Sequence, residues 1–160
     1  MIHVISKAGL KELGVVELTR DDHAPRRARE AVTGWVGRSH PARDILILAV
    51  SELTTNAVRH ADVGPGRRWL VIQLSQGTDY FRLAVTDPGS LFSVPYHIPL
   101  QAPRLNGQAE DGRGLAIVAK LSRGRWGSHT LPQAAHRVVW CHLDADPTSA
   151  EAELLHLPLA

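Results

Sequence analysis

Glu52 and Asn56 stand four residues apart in the run Ile45 to Ala61, ILILAVSELTTNAVRHA. If that run is a helix, the two share one face. At roughly 100° per residue, an apolar stripe passes through Ile45, Leu46, Ala49, Val50, Leu53, Ala57 and Ala61. Glu52, Asn56 and His60 then fall at the edge of the stripe, close to the core. A carboxylate and an amide held there need partners, because half-buried polar groups are costly when left unsatisfied. A hydrated divalent cation bound to phosphates would serve, since hard cations choose oxygen ligands. The simpler alternative is a boundary helix whose polar residues are solvated.

Two further clusters carry chemistry. Asp87 closes an alternating run, Tyr80 to Asp87, and is followed by Pro88 and Gly89. Its carboxylate can accept from an exocyclic amino group, the group that separates adenine from guanine. A glycine two residues on lets the backbone approach a flat base. Most D-x-G sequences are nonetheless plain turns. Gly112-Arg113-Gly114-Leu115 precedes a short apolar run. A helix starting there would offer unpaired N–H groups to an anion, and Arg113 would add a fork-shaped cation suited to phosphate oxygens. Read without a ligand, the same residues are a glycine-rich turn before a helix.

The elements that must position these groups follow from periodicity. Residues 14–19 read as a strand. Asp21-Asp22 offers a helix cap, and residues 24–38 read as an amphipathic helix with Ala28, Ala31, Val32, Trp35 and Val36 on one side. Pro41 breaks it, and the helix bearing Glu52 follows. Strands are expected at 69–74 and 80–87, turning at Gly77. Regularity ends between Pro88 and Asp111, a stretch long enough to be a lid or binding loop. A helix at 115–121 and strands at 125–130 and 137–143 complete the order. Neighbouring strands suggest hairpins. The expected fold is therefore an α/β (α+β) two-layer sandwich, with a mixed, mostly antiparallel sheet and helices on one face. Residues 1–13 are expected to be loosely ordered, 14–143 to form one domain, and 144–160 to form a tail whose 151–157 piece is weakly helical.

Composition narrows the function classes. The chain has 160 residues, 44% hydrophobic and 21% charged, with a formal charge of +2. That suits one globular domain. Without a basic run interleaved with aromatics, direct nucleic-acid binding has little support. No apolar run is long enough to span a bilayer and no charged-then-apolar leader is evident, so a cytoplasmic protein is expected. The single cysteine, Cys141, excludes an internal disulfide and reads as a core residue. Of the nine histidines, His97, His129, His136, His142 and His156 show no paired metal-ligand spacing.

The order of these features resembles the GHKL superfamily of ATP-binding domains, found in gyrase, histidine kinases and mismatch-repair ATPases. Within it the chain looks most like the small anti-sigma-factor serine kinases and their actinobacterial relatives. E-L-x-x-N-A-x-x-H-A at 52–61 is the most specific match. G-R-G-L at 112–115 and the RW and VW pairs at 125–126 and 139–140 support it. The resemblance implies ATP and Mg²⁺ as cofactors. Glu52 would be the general base, Asn56 the Mg²⁺ ligand, and His60 a neighbour of the nucleotide. Asp87 would bind the adenine amino group beside Gly89. Gly112, Arg113, Gly114 and Leu115 would wrap the phosphates, under a lid over about 88–111 in which Arg104 is the one evident phosphate ligand. The implied partners are a sigma factor or an anti-sigma-factor antagonist protein, with a homodimer left open.

The chain departs from the family pattern in places. Leu91 stands where a second glycine is common, and Ala134 to Val138 contains no threonine to help hold the base. Enzyme activity is therefore left open between a serine kinase and a non-catalytic interaction module with the same fold.

Overall fold

The computed structural model describes residues 9–60, 66–89, 110–131 and 136–147, without the side chains of 110–113. Its elements are β1 (Lys11–Thr19), α1 (Ala24–Val36), α2 (Arg43–His60), β2 (Trp69–Gln76), β3 (Tyr80–Asp87), α3 (Glu110–Leu121), β4 (Trp126–Thr130) and β5 (Arg137–Asp144). The strands form one sheet in the order β1-β2-β3-β5-β4. Every pairing among them is antiparallel, the antiparallel end of the range expected from the sequence. The result is the expected α+β sandwich.

Alternation explains the layers. Leu70, Ile72 and Leu74 of β2, Phe81, Leu83 and Val85 of β3, and Cys141 and Leu143 of β5 are all buried on the helix-facing side. Period-two patterning places them on one face. Helix α1 contributes Ala24, Ala28 and Val32, all fully buried. Helix α2 contributes Ile45, Leu46, Ala49, Val50, Leu53 and Ala57, the stripe expected from its spacing, while Ala61 lies outside the described residues. The opposite face of the sheet carries polar and aromatic groups. There the His142 ring lies 4.7 Å from that of Tyr80 and 5.0 Å from that of Trp140, and the Arg82 guanidinium lies 5.6 Å from the Trp140 ring centroid.

Several boundaries differ from the expectation. β1 begins at Lys11, so residues 11–13 belong to the sheet. A register shift between Glu12 and Gly14 interrupts the pairing with β2, and such a bulge destroys the alternation by which a strand is recognised. The cap of α1 is His23, with no side-chain hydrogen bond. Asp21 instead accepts the His23 N–H at 2.9 Å and a contact from Arg27 Nη1 at 3.3 Å, so it shapes the turn before the helix. Pro25 sits in the first turn, where its missing N–H costs nothing. At the entry to α2, the Ala42 N–H donates to Nδ1 of His40 at 3.1 Å. Helix α3 starts at Glu110 rather than 115. Residues 90–109 of the expected lid and the expected helix at 151–157 lie outside the described residues.

Candidate functional site

Helix α2 brings the candidate residues to one cleft beside its buried stripe. Positions 52, 56, 59 and 60 recur at helical spacing beside the buried Leu53 and Ala57. Glu52, Thr55, Asn56, Arg59 and His60 therefore line one cleft, closed on the other side by Gly114 and Leu115 of α3. The open volume between them is about 20 Å³, room for a water or a small cation and too little for a nucleotide.

Gly114 makes the close approach of α3 to α2 workable. A Cβ at that position would stand 2.6 Å from Oε2 of Glu52. Only a residue without a side chain lets the carboxylate keep its place. Burial pushes the Glu52 carboxyl above its ordinary value, and the Arg59 guanidinium pulls it partly back. A carboxylate raised in this way is poised to take a proton.

The glycine pair falls inside α3. The amide groups that a helix start leaves unpaired belong to its first turn, here residues 110–113. Gly112 and Arg113 lie there, whereas Gly114 and Leu115 sit one turn further in, against α2. This corrects the expectation of a loop running up to residue 115. Gly112 stays in the first turn, whose amides a helix leaves unpaired, whereas Gly114 clears space for Glu52.

Asp87 and Gly89 are not among the residues lining this cleft. Asp87 is at the end of β3 and is 0% exposed. Its Oδ1 accepts the Gly89 N–H at 2.7 Å. Its Oδ2 accepts from Arg137 Nε at 3.1 Å and Nη2 at 2.8 Å. Arg67 Nη1 reaches the carbonyls of Pro88 and Gly89, each at 3.4 Å. The buried carboxylate thus has a partner within the chain, which its place on the inward face requires.

The structure brings Glu52, Asn56, His60, Gly114 and Leu115 together and keeps Asp87 and Gly89 as a separate cluster. Arg104 lies outside the described residues. Three arginines of these clusters were not singled out from sequence. Arg59 was within reach, being seven residues from Glu52 on the same face. Arg67 and Arg137 depend on strand register over long separations, for which the sequence carries no local signal.

The family model for the histidine kinase-like ATPase domain matches residues 18–124, more than half of the chain. The chain belongs to the histidine kinase-like ATPase domain family. The expected ATP-binding fold is thereby established, and ATP with Mg²⁺ is the usual ligand of such domains. A search of curated proteins found no match. The matched region takes in Glu52, Asn56, Asp87 and the glycines of α3, and ends before β4 and β5. Arg137 is thus outside it.

The ligand set of the cleft can be weighed against a histidine kinase-like ATPase. Among the described residues no three His, Cys, Asp or Glu side chains gather to hold a metal. Mg²⁺ suits such a site when phosphates and water supply most of its oxygens and the protein only one or two. Asn56, beside Glu52, provides that kind of ligand. The cleft therefore fits the family's usual Mg²⁺. Asp87, which was expected to bind the adenine amino group, is already held by Arg137. Among the described residues no helix is long and apolar enough to cross a membrane.

Proposed function

We propose that this protein is an ATP-binding regulator of the anti-sigma-factor type. In this reading it transfers the γ-phosphate of ATP to a serine of an antagonist protein and sequesters a sigma factor in the alternative state, in the cytoplasm. The observation that carries the reading is the grouping of Glu52, Asn56 and Gly114 in one cleft, with the Glu52 carboxyl raised by burial.

Glu52 removes the proton of the attacking serine hydroxyl. The serine oxygen bonds to the γ-phosphorus as the bond to the β-phosphate oxygen breaks, and ADP leaves. Asn56 would hold Mg²⁺, whose chemistry would be to neutralise charge on the phosphates. Arg59 lies on the same side of α2 beside His60, where the positive charge of its guanidinium assists phosphoryl transfer. Partner choice follows from different affinities of the two nucleotide states.

Calorimetric titration with ATP, with and without Mg²⁺, tests the binding step. Saturable, Mg²⁺-dependent binding is expected, and Asn56→Ala removes the Mg²⁺ dependence. No saturation at millimolar ATP, by the wild type or any folded variant, overturns the nucleotide reading.

A second reading is favoured by one observation, the Arg137 contact that satisfies Asp87. It makes the domain a non-catalytic interaction module. Partner binding indifferent to Mg-ATP, with no phosphate on any partner, would select it.

A further inference from the structure

Asp87 and Arg137 stand directly opposite each other across the β3–β5 pairing. Both project toward the helix layer, by alternation with the buried Val85 and Val139. The Asp87 side chain is 1% exposed and that of Arg137 26%. The carboxylate lies beneath while part of the guanidinium reaches solvent. Two donors of one guanidinium converge on Oδ2, a charge-assisted pair stronger than a neutral hydrogen bond. Pro88 and Gly89 are buried as well.

We propose that Arg137 is an internal competitor for the base-reading carboxylate and so sets the purine affinity of the site. The inference rests on the nucleotide reading above. An amino group of a purine is a neutral donor and must replace, or crowd beside, a cationic donor already in place. The rest of the base end does not depend on Arg137. Gly89 N–H holds Oδ1 at 2.7 Å, and Arg67 holds the carbonyls of residues 88 and 89 from β2's side. Among the described residues Arg137 is therefore the one side chain that bonds Asp87, and the one that would rotate away. Adenine binding costs the loss of the ion pair, and the released guanidinium is left partly in water.

The test is calorimetric titration of ATP and of inosine triphosphate into the wild type, Arg137→Lys and Arg137→Ala. Lysine keeps the charge but cannot present two N–H groups from one plane. It therefore maintains a partner for buried Asp87 should the alanine variant fail to fold, and thermal melting checks both. Arg137→Lys is expected to tighten ATP about tenfold, within the range of a lost charge-assisted bond. Inosine triphosphate carries a carbonyl in place of the amino group and offers Asp87 no donor at that position, so its gain should be smaller than that of ATP. Unchanged or weaker ATP binding in a folded Arg137→Lys protein overturns the proposal and leaves the nucleotide reading intact. An equal gain for both nucleotides also overturns it, since Arg137 would then act on something other than the base. No binding of ATP by any of the three folded proteins overturns the nucleotide reading itself, and the inference with it.

Discussion

The Oε2 atom of Glu52 stands 2.6 Å from the point a Cβ on Gly114 would occupy. Two helices distant in sequence are thus fitted to each other at the atom on which proton transfer would depend. Gly114→Ala separates stability from chemistry at this point. Alanine is favoured over glycine in a helix interior by ~1 kcal/mol. The obstacle is the far end of a flexible side chain, which can swing aside. The variant should melt no lower than the wild type, yet its carboxylate is displaced. Phosphoryl transfer to a protein acceptor should fall by about tenfold or more, as misplacement of a reacting group by ~1 Å does. A paired measurement of melting temperature and transfer rate checks both halves.

Glu52→Gln should reveal the burial cost of the charge. The folded-state pKa of Glu52 is raised, so the folded protein holds the proton more tightly than the unfolded chain. Stability is then lost as pH rises from the unfolded value through the folded one. The neutral glutamine escapes that loss. Its melting temperature should exceed the wild type's at pH 7, and the gap should close below pH 4.5, the ordinary value of the group. ATP binding should persist while transfer disappears. A stability gap that is the same at both pH values would contradict the raised pKa.

Gly14→Ala should be destabilising for a different reason. A Cβ there would lie 2.0 Å from Cε2 of Trp35, on a large ring packed against the core. Neither β1 nor the indole can yield without disturbing the bulge. Overpacking of this kind costs about 1–3 kcal/mol, readable in a denaturant titration as a lower midpoint with an unchanged slope.

Cys141 should be inert in the native protein. It is 0% exposed, and burial pushes its thiol up to about 12. The thiolate is the reactive form. A thiol-specific reagent at pH 7.5 should label the folded protein only at the rate of its unfolding and label the denatured chain at once. Rapid labelling under native conditions would show that β5 opens on its own.

Legibility in the sequence followed the range of the interaction. Helix α2 was visible because its stripe repeats over 18 residues, and the Glu52–Asn56 relation is contained within one turn. The start of β1 was hidden by the shift at Leu13, where one extra residue reverses the alternation. Helix α3 was read too short because Gly112 and Gly114 weaken helical propensity in its first turns. Packing of Val118 and Leu121 against the core secures it. Arg137 was out of reach, because its meeting with Asp87 depends on a register between strands 50 residues apart.

The sheet order carries a consequence for assembly. β5 lies between β3 and β4, although among the described strands it is the last to leave the ribosome. Until it is made, β4 has no neighbour and β3 has one bare edge. The long-range pairing of β3 with β5 comes late because its loop-closure entropy is large. A nascent chain shorter than residue 144 would already contain Glu52, Asn56 and Asp87. It would lack the strand that joins β3 to β4, so the order of synthesis makes the Asp87–Arg137 pair late to form among the described parts of the sheet.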